Sequence, residues 1–150
     1  MKKVYKESID AKLKSTWQVI GRMYFAEAAQ HGSTLAGSYF LMCINSKEGS
    51  YATDIAPKMG MESSSLSRMI KTMEDAGLIK RIADKVDKRK VKIHLTPEGV
   101  DKKESAKNIV RKFNLHIEEK IGKEKKDKLM EILGEIADLA EERLRELKQG

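Results

Sequence analysis

Residues 63–71 run Ser-Ser-Ser-Leu-Ser-Arg-Met-Ile-Lys. Ser63, Ser64, Ser65 and Ser67 offer short hydroxyls that can bond phosphate or base edges. Arg68 can grip the O6/N7 edge of a guanine with two parallel N–H groups, and Lys71, one turn beyond, suits a phosphate. Residues 80–95 (KRIADKVDKRKVKIHL) hold seven Lys or Arg against two acids, Asp84 and Asp87, with Lys88, Arg89 and Lys90 side by side. Residue types in this pattern suit the holding of a polyanion. The plainer reading of SSSLSR is a solvated helix start with ordinary capping, so its context has to decide.

Other chemistry finds little footing. No nucleophile–base motif, Gly-rich phosphate loop or HExxH is present, and an enzyme is not expected. His31, His94 and His116 have neither cysteine partners nor metal-ligand spacing, so no metal and no cofactor are expected. His94 falls on the polar face of a strand pattern and is expected to be solvated. Cys43 is the lone cysteine, which excludes a disulfide within one chain; in an apolar helix it reads as a core residue rather than a redox switch.

The elements that carry these groups follow from periodicity. Ile9, Leu13, Trp17, Ile20, Tyr24 and Ala28 form a stripe at steps of three and four, predicting a helix over 7–30 that ends at His31-Gly32. Ser33 or Thr34 caps a second helix over 35–45, apolar on most of its surface and so central to the core. SKEGS (46–50) reads as a loop. A short helix over 52–59 stops at Gly60, and a turn leads to the serine-led helix, whose apolar face is Leu66, Met69, Ile70 and Met73. Gly77 ends it.

Lys90 to Leu95 alternates polar and apolar residues, the mark of a half-buried strand, so the basic segment is a two-stranded hairpin. Thr96 and Pro97 start a helix reaching about 121, and Gly122 separates it from a final helix bearing Leu129, Ile132, Leu133, Ile136, Leu139, Ala140, Leu144 and Leu147. That last stripe is long, and little chain remains to bury it within one monomer.

A short helix, a turn, a donor-rich helix and then a basic hairpin make a winged helix-turn-helix, with the second helix suited to the major groove and the hairpin to the adjacent minor groove. IAPKMGMESSSLSRMIKTMEDAGLIKR followed by DKRKVKIHLTPEG resembles the multiple-antibiotic-resistance regulator (MarR) family of bacterial transcription factors. The strongest tokens are the LSRMIK run and the D-x-R…L-T-x-x-G signature at Asp87, Arg89, Leu95, Thr96 and Gly99.

The resemblance implies that Arg89 enters the minor groove, that Asp87 holds the wing in shape, and that the serines and Arg68 face DNA. It also implies a homodimer with interlocked first, fifth and sixth helices, and an effector pocket to which Trp17, Tyr24 and Tyr39 would contribute stacking surface for a small apolar or aromatic ligand. The plainer reading of Trp17 and Tyr24 is packing at the dimer interface. Pro57 inside the short helix and Glu62 at the start of the recognition helix depart from the family pattern.

Net charge is +7, from 30 Lys and Arg against 23 Asp and Glu, and the excess is concentrated at the hairpin, where it forms an electrostatic footprint. The N-terminus lacks the apolar core of a secretory signal, and the longest apolar run is too short to span a bilayer. The expectation is a mainly α, cytoplasmic chain of one domain, with a winged helix-turn-helix lobe (33–96) flanked by dimerisation helices (7–31 and 97–148). Its expected partners are double-stranded DNA, a second copy of itself and a small effector, with no membrane. The expected role is a ligand-responsive repressor on a palindromic operator. The rival is an architectural DNA binder or a protein-interaction module that reads no sequence.

Overall fold

The computed structural model describes residues 8–149; Glu7, where the first helix was expected to begin, lies outside them. The elements are α1 (Ile9–Gln30), α2 (Leu35–Cys43), β1 (Ser50–Tyr51), α3 (Ala52–Met59), α4 (Ser63–Asp75), β2 (Ile79–Ala83), β3 (Val91–Leu95), α5 (Pro97–Ile121) and α6 (Lys123–Gln149). The backbone divides into two compact units, one ending at Ile109 and the other beginning at Val110.

Local chemistry sets most element ends. Thr34 caps α2 by accepting from the Gly37 amide at 3.0 Å. Gly60 takes the left-handed conformation (φ 61°) after α3, where its amide and that of Met61 bond back to Pro57 and Ala56. Pro57 therefore lies inside α3, yet the helix continues past it to Met59. Thr96 accepts from the Gly99 amide at 3.1 Å at the start of α5 and donates its own hydroxyl to the Gly77 carbonyl at 2.7 Å. One side chain thus caps a helix and ties it to the turn after α4.

The core of the first unit is built by Phe40, Leu41 and Ile44 from the α2 segment, Ile55 from α3, Leu66 and Ile70 from α4, Ile79 from β2 and Ile93 from β3. Met59, Met69 and Met73 pack around this cluster as flexible filler, while Met61 is half-buried. α2 is central, as its composition predicts. Cys43 packs against the same cluster, and burial pushes its thiol above the usual range, lowering its thiolate fraction.

The sheet corrects the expectation of a loop over 46–50 and of a two-stranded hairpin. Ser50–Tyr51 forms a third strand, and the order is β1-β3-β2, with both pairs antiparallel. Ser50 pairs with Ile93 and Tyr51 with Lys92. A strand of two residues has no alternation to display, so only pairing reveals it. His94 is also corrected: it is half-buried, with its ring over Gly49, where a Cβ would lie 2.7 Å from Nε2.

In the second unit α6 runs for 27 residues without a single buried one. Leu129, Leu139, Leu144 and Leu147 are all exposed along it.

Candidate nucleic-acid interface

The amphipathic pattern of α4 turns Leu66 and Ile70 into the core and leaves Ser63, Ser64, Ser65, Ser67, Arg68 and Lys71 exposed. Arg68 and Lys71 take part in no ion pair among the described residues. The hydroxyls of Ser63, Ser64 and Ser65 likewise make no hydrogen bond there. Ser67 differs, because its hydroxyl donates to the Ser63 carbonyl at 2.8 Å. In that rotamer it offers only lone pairs outward, so it meets base donors rather than phosphate oxygens. Glu62 stands at the N-cap without a side-chain capping bond, which leaves its carboxylate at the entrance of the helix.

The second group is the wing turn between β2 and β3, where Lys88, Arg89 and Lys90 are exposed. Backbone bonds from Asp84 N–H to the Lys90 carbonyl (2.8 Å) and from Lys90 N–H to the Asp87 carbonyl (2.9 Å) close it. Asp87 accepts from the Arg89 amide at 3.1 Å, and Lys90 Nζ approaches its other oxygen at 4.0 Å.

Asp84, not singled out from the sequence, is the more connected carboxylate. Oδ1 accepts from the amides of Val86 (2.8 Å) and Asp87 (3.0 Å), and Oδ2 accepts from the Tyr51 hydroxyl at 2.5 Å. Lys92 Nζ lies 3.9 Å from Oδ2 and 5.1 Å from the centre of the Tyr51 ring. The Tyr51 hydroxyl first, then the two amides, holds the Asp84 carboxyl down at about 2, and the same bond pushes the Tyr51 phenol up to about 12. The Asp84-x-x-Asp87 spacing is a visible turn signal; Tyr51 carries no local sign of its role.

Arg81 Nε meets Glu74 Oε2 at 3.0 Å, joining β2 to the last turn of α4 across an exposed surface. The aromatic candidates lie elsewhere. Trp17 and Tyr24 share one face of α1, the first exposed and the second half-buried with its phenol raised by burial. Tyr39, on α2, is exposed. Among the described residues no group of three or more His, Cys, Asp or Glu could hold a metal ion.

A three-stranded wing beside a helix-turn-helix with its polar face outward defines a winged helix-turn-helix protein. Residues 39–91, which lie within this lobe, match the model of the MarR family. The chain is 30% identical over 79 residues to the HTH-type transcriptional regulator TtmR of Methylorubrum extorquens (strain PA1), a match covering 53% of this chain and 40% of TtmR. The match thus spans less than half of that relative. The fold is similar to that of S. aureus MepR in complex with DNA, with a TM-score of 0.78 at 17% identity, covering 87% of this chain and 97% of MepR. It is also similar to CouR from Rhodococcus jostii RHA1 bound to p-coumaroyl-CoA, with a TM-score of 0.77 at 22% identity, covering 89% and 94%. CouR is a transcriptional repressor. TtmR and CouR are thus transcription regulators.

Proposed function

We propose that this chain is a sequence-reading, double-stranded DNA-binding transcriptional regulator that acts as a homodimer. The observation that carries the reading is the pair of exposed cationic groups on one lobe: the α4 face, with Arg68 and Lys71 free of ion pairs, and the wing turn with Lys88, Arg89 and Lys90. The α4 face suits the major groove and the wing the flanking minor groove, where negative potential favours arginine. The DNA-bound state of MepR supports the same use of the fold here.

The uncovered apolar stripe of α6 supports a second copy as its partner. A two-fold dimer presents two recognition helices about 34 Å apart, one turn of DNA, to a near-palindromic operator. Bound over a promoter, it represses by obstruction. A small apolar or aromatic effector would release it by binding better to a dimer whose lobes are spaced wrongly for DNA; the p-coumaroyl-CoA bound to CouR, with its aromatic acyl group, supports a ligand for this fold. Trp17, Tyr24 and Tyr39 are the candidate stacking residues.

The test is a fluorescence-anisotropy titration with the duplex upstream of the chain's own gene and a scrambled duplex, at two salt concentrations. The expected preference is about a thousandfold or more. Equal binding with a steep salt dependence would favour an architectural role, and no binding would favour a protein-interaction module.

A further inference from the structure

Tyr51 does not belong to the recognition helix or to the β2–β3 hairpin. It is the second residue of β1 and the residue immediately before α3, the first helix of the helix-turn-helix. Its backbone is therefore continuous with the element that carries α4, and its pairing with Lys92 sets it on the edge of the wing sheet. From there its hydroxyl reaches Asp84 Oδ2, while Oδ1 of the same carboxylate holds the amides of Val86 and Asp87. The turn that presents Lys88, Arg89 and Lys90 is thus anchored through one carboxylate to a side chain outside the hairpin. The turn's other bonds, from the Asp84 and Lys90 amides and from the Arg89 amide to Asp87, all lie within the hairpin, and the Arg81–Glu74 contact holds β2 rather than the turn. Val86 is almost wholly exposed, and the Asp87–Lys90 contact is long and solvated.

From this geometry we infer that Tyr51 is a positioning residue for DNA recognition: through Asp84 it holds the wing turn at the angle to α4 that lets Arg89 and α4 engage adjacent grooves together. The inference rests on the DNA-binding reading above. An isolated two-stranded ribbon twists and bends readily, so a basic wing without an outside anchor would sample many angles. Each angle then costs the DNA complex some pre-organisation. Lys92 completes the cluster, with its ammonium near both the carboxylate and the ring face.

Tyr51→Phe removes only the hydroxyl and keeps the ring over Lys92. In the free full-length protein, exchange of the Val86 and Asp87 amides should quicken about tenfold, while exchange in the α4 core stays unchanged. On operator DNA at saturating protein, hydroxyl-radical protection in the flanking minor groove should fade, and methylation protection of guanine N7 in the major groove should persist. Asp84→Asn should produce the same separation, and the double variant should be no worse than the more severe single variant. Unchanged amide exchange, or additive effects in the double variant, would overturn the inference. So would parallel loss of both footprints, the sign of a purely structural role. If the wild-type protein protects no duplex, the DNA-binding reading falls and the inferred role in recognition with it; amide exchange in the free protein still decides whether Tyr51 holds the turn.

Discussion

Lys103 of α5 donates from its ammonium to the carbonyl of Ile44, the residue on which α2 ends. Its neighbour Lys102 does the same for His31, on which α1 ends, at 2.8 Å. Helix carboxyl ends expose unpaired carbonyls and carry partial negative charge, so each lysine meets both needs. Lys103 is 5% exposed, and that burial is the main reason its amine titrates below the ordinary lysine range. Lys103→Met should strand the Ile44 carbonyl and lower stability by about 1–3 kcal/mol, against about 0.5 kcal/mol for the exposed Lys102→Met. Urea denaturation midpoints at constant slope check the difference.

The Tyr51–Asp84 bond predicts a pH window. Asp84 is held at about 2 against its ordinary 3.8, so the folded state binds fewer protons than the unfolded chain between those values, and stability is lost as pH falls through them. Tyr51 is raised from 10.0 to about 12, so stability is lost as pH rises across that interval. The melting-temperature advantage of the wild type over Tyr51→Phe should be flat between these windows and shrink on both sides. Thermal melts of the two proteins across pH measure it.

Gly99 belongs to the L-T-x-x-G signature for a steric reason. A Cβ there would lie 1.9 Å from the Leu78 carbonyl oxygen, a backbone atom that itself accepts from the Thr96 amide. Neither partner can give way without parting α5 from the turn after α4. Gly99→Ala should cost on the order of 3 kcal/mol. Its effect is checked by denaturant unfolding, with Gly134→Ala, where nothing lies within 4 Å, as the comparison.

Arg68 and Lys71 should separate by specificity. Arg68→Ala should cost about 1–3 kcal/mol on the operator and relax preference at one position in each half-site. Lys71→Ala should weaken all duplexes alike and reduce the salt slope by about one. Titrations of operator and scrambled DNA at several salt concentrations distinguish them; equal losses for Arg68→Ala on both duplexes would remove it as a base reader.

Leu139 is 65% exposed in the middle of the α6 stripe. Leu139→Glu should leave the fold of the first unit intact and convert the proposed dimer to monomers, since a charge placed in an apolar interface must be desolvated without a partner. Light scattering after size-exclusion chromatography gives the mass directly.

The parts of this protein legible in its sequence are those whose cause lies within a few residues. Leu66, Met69, Ile70 and Met73 recur at the helical period, so the exposed serines and Arg68 opposite them follow. Thr34, Gly60 and the Thr96-Pro97 pair end or begin helices through bonds to near neighbours. The basic wing and its alternating strand are equally local. Tertiary structure alone decided what depended on distant partners. Strand β1 has no period to read at two residues and exists because β3 offers it an edge. His94 looked solvated by alternation, yet the absence of a side chain at Gly49 opened space for its ring. The burial of Lys103 has no mark in the sequence and follows from the end of α2 lying against it. The Tyr51 hydroxyl and Asp84 are 33 residues apart, and nothing near either announces the other. Periodicity and capping act over one or two turns of chain, whereas a wing held at a fixed angle needs contacts that only folding brings within hydrogen-bond reach.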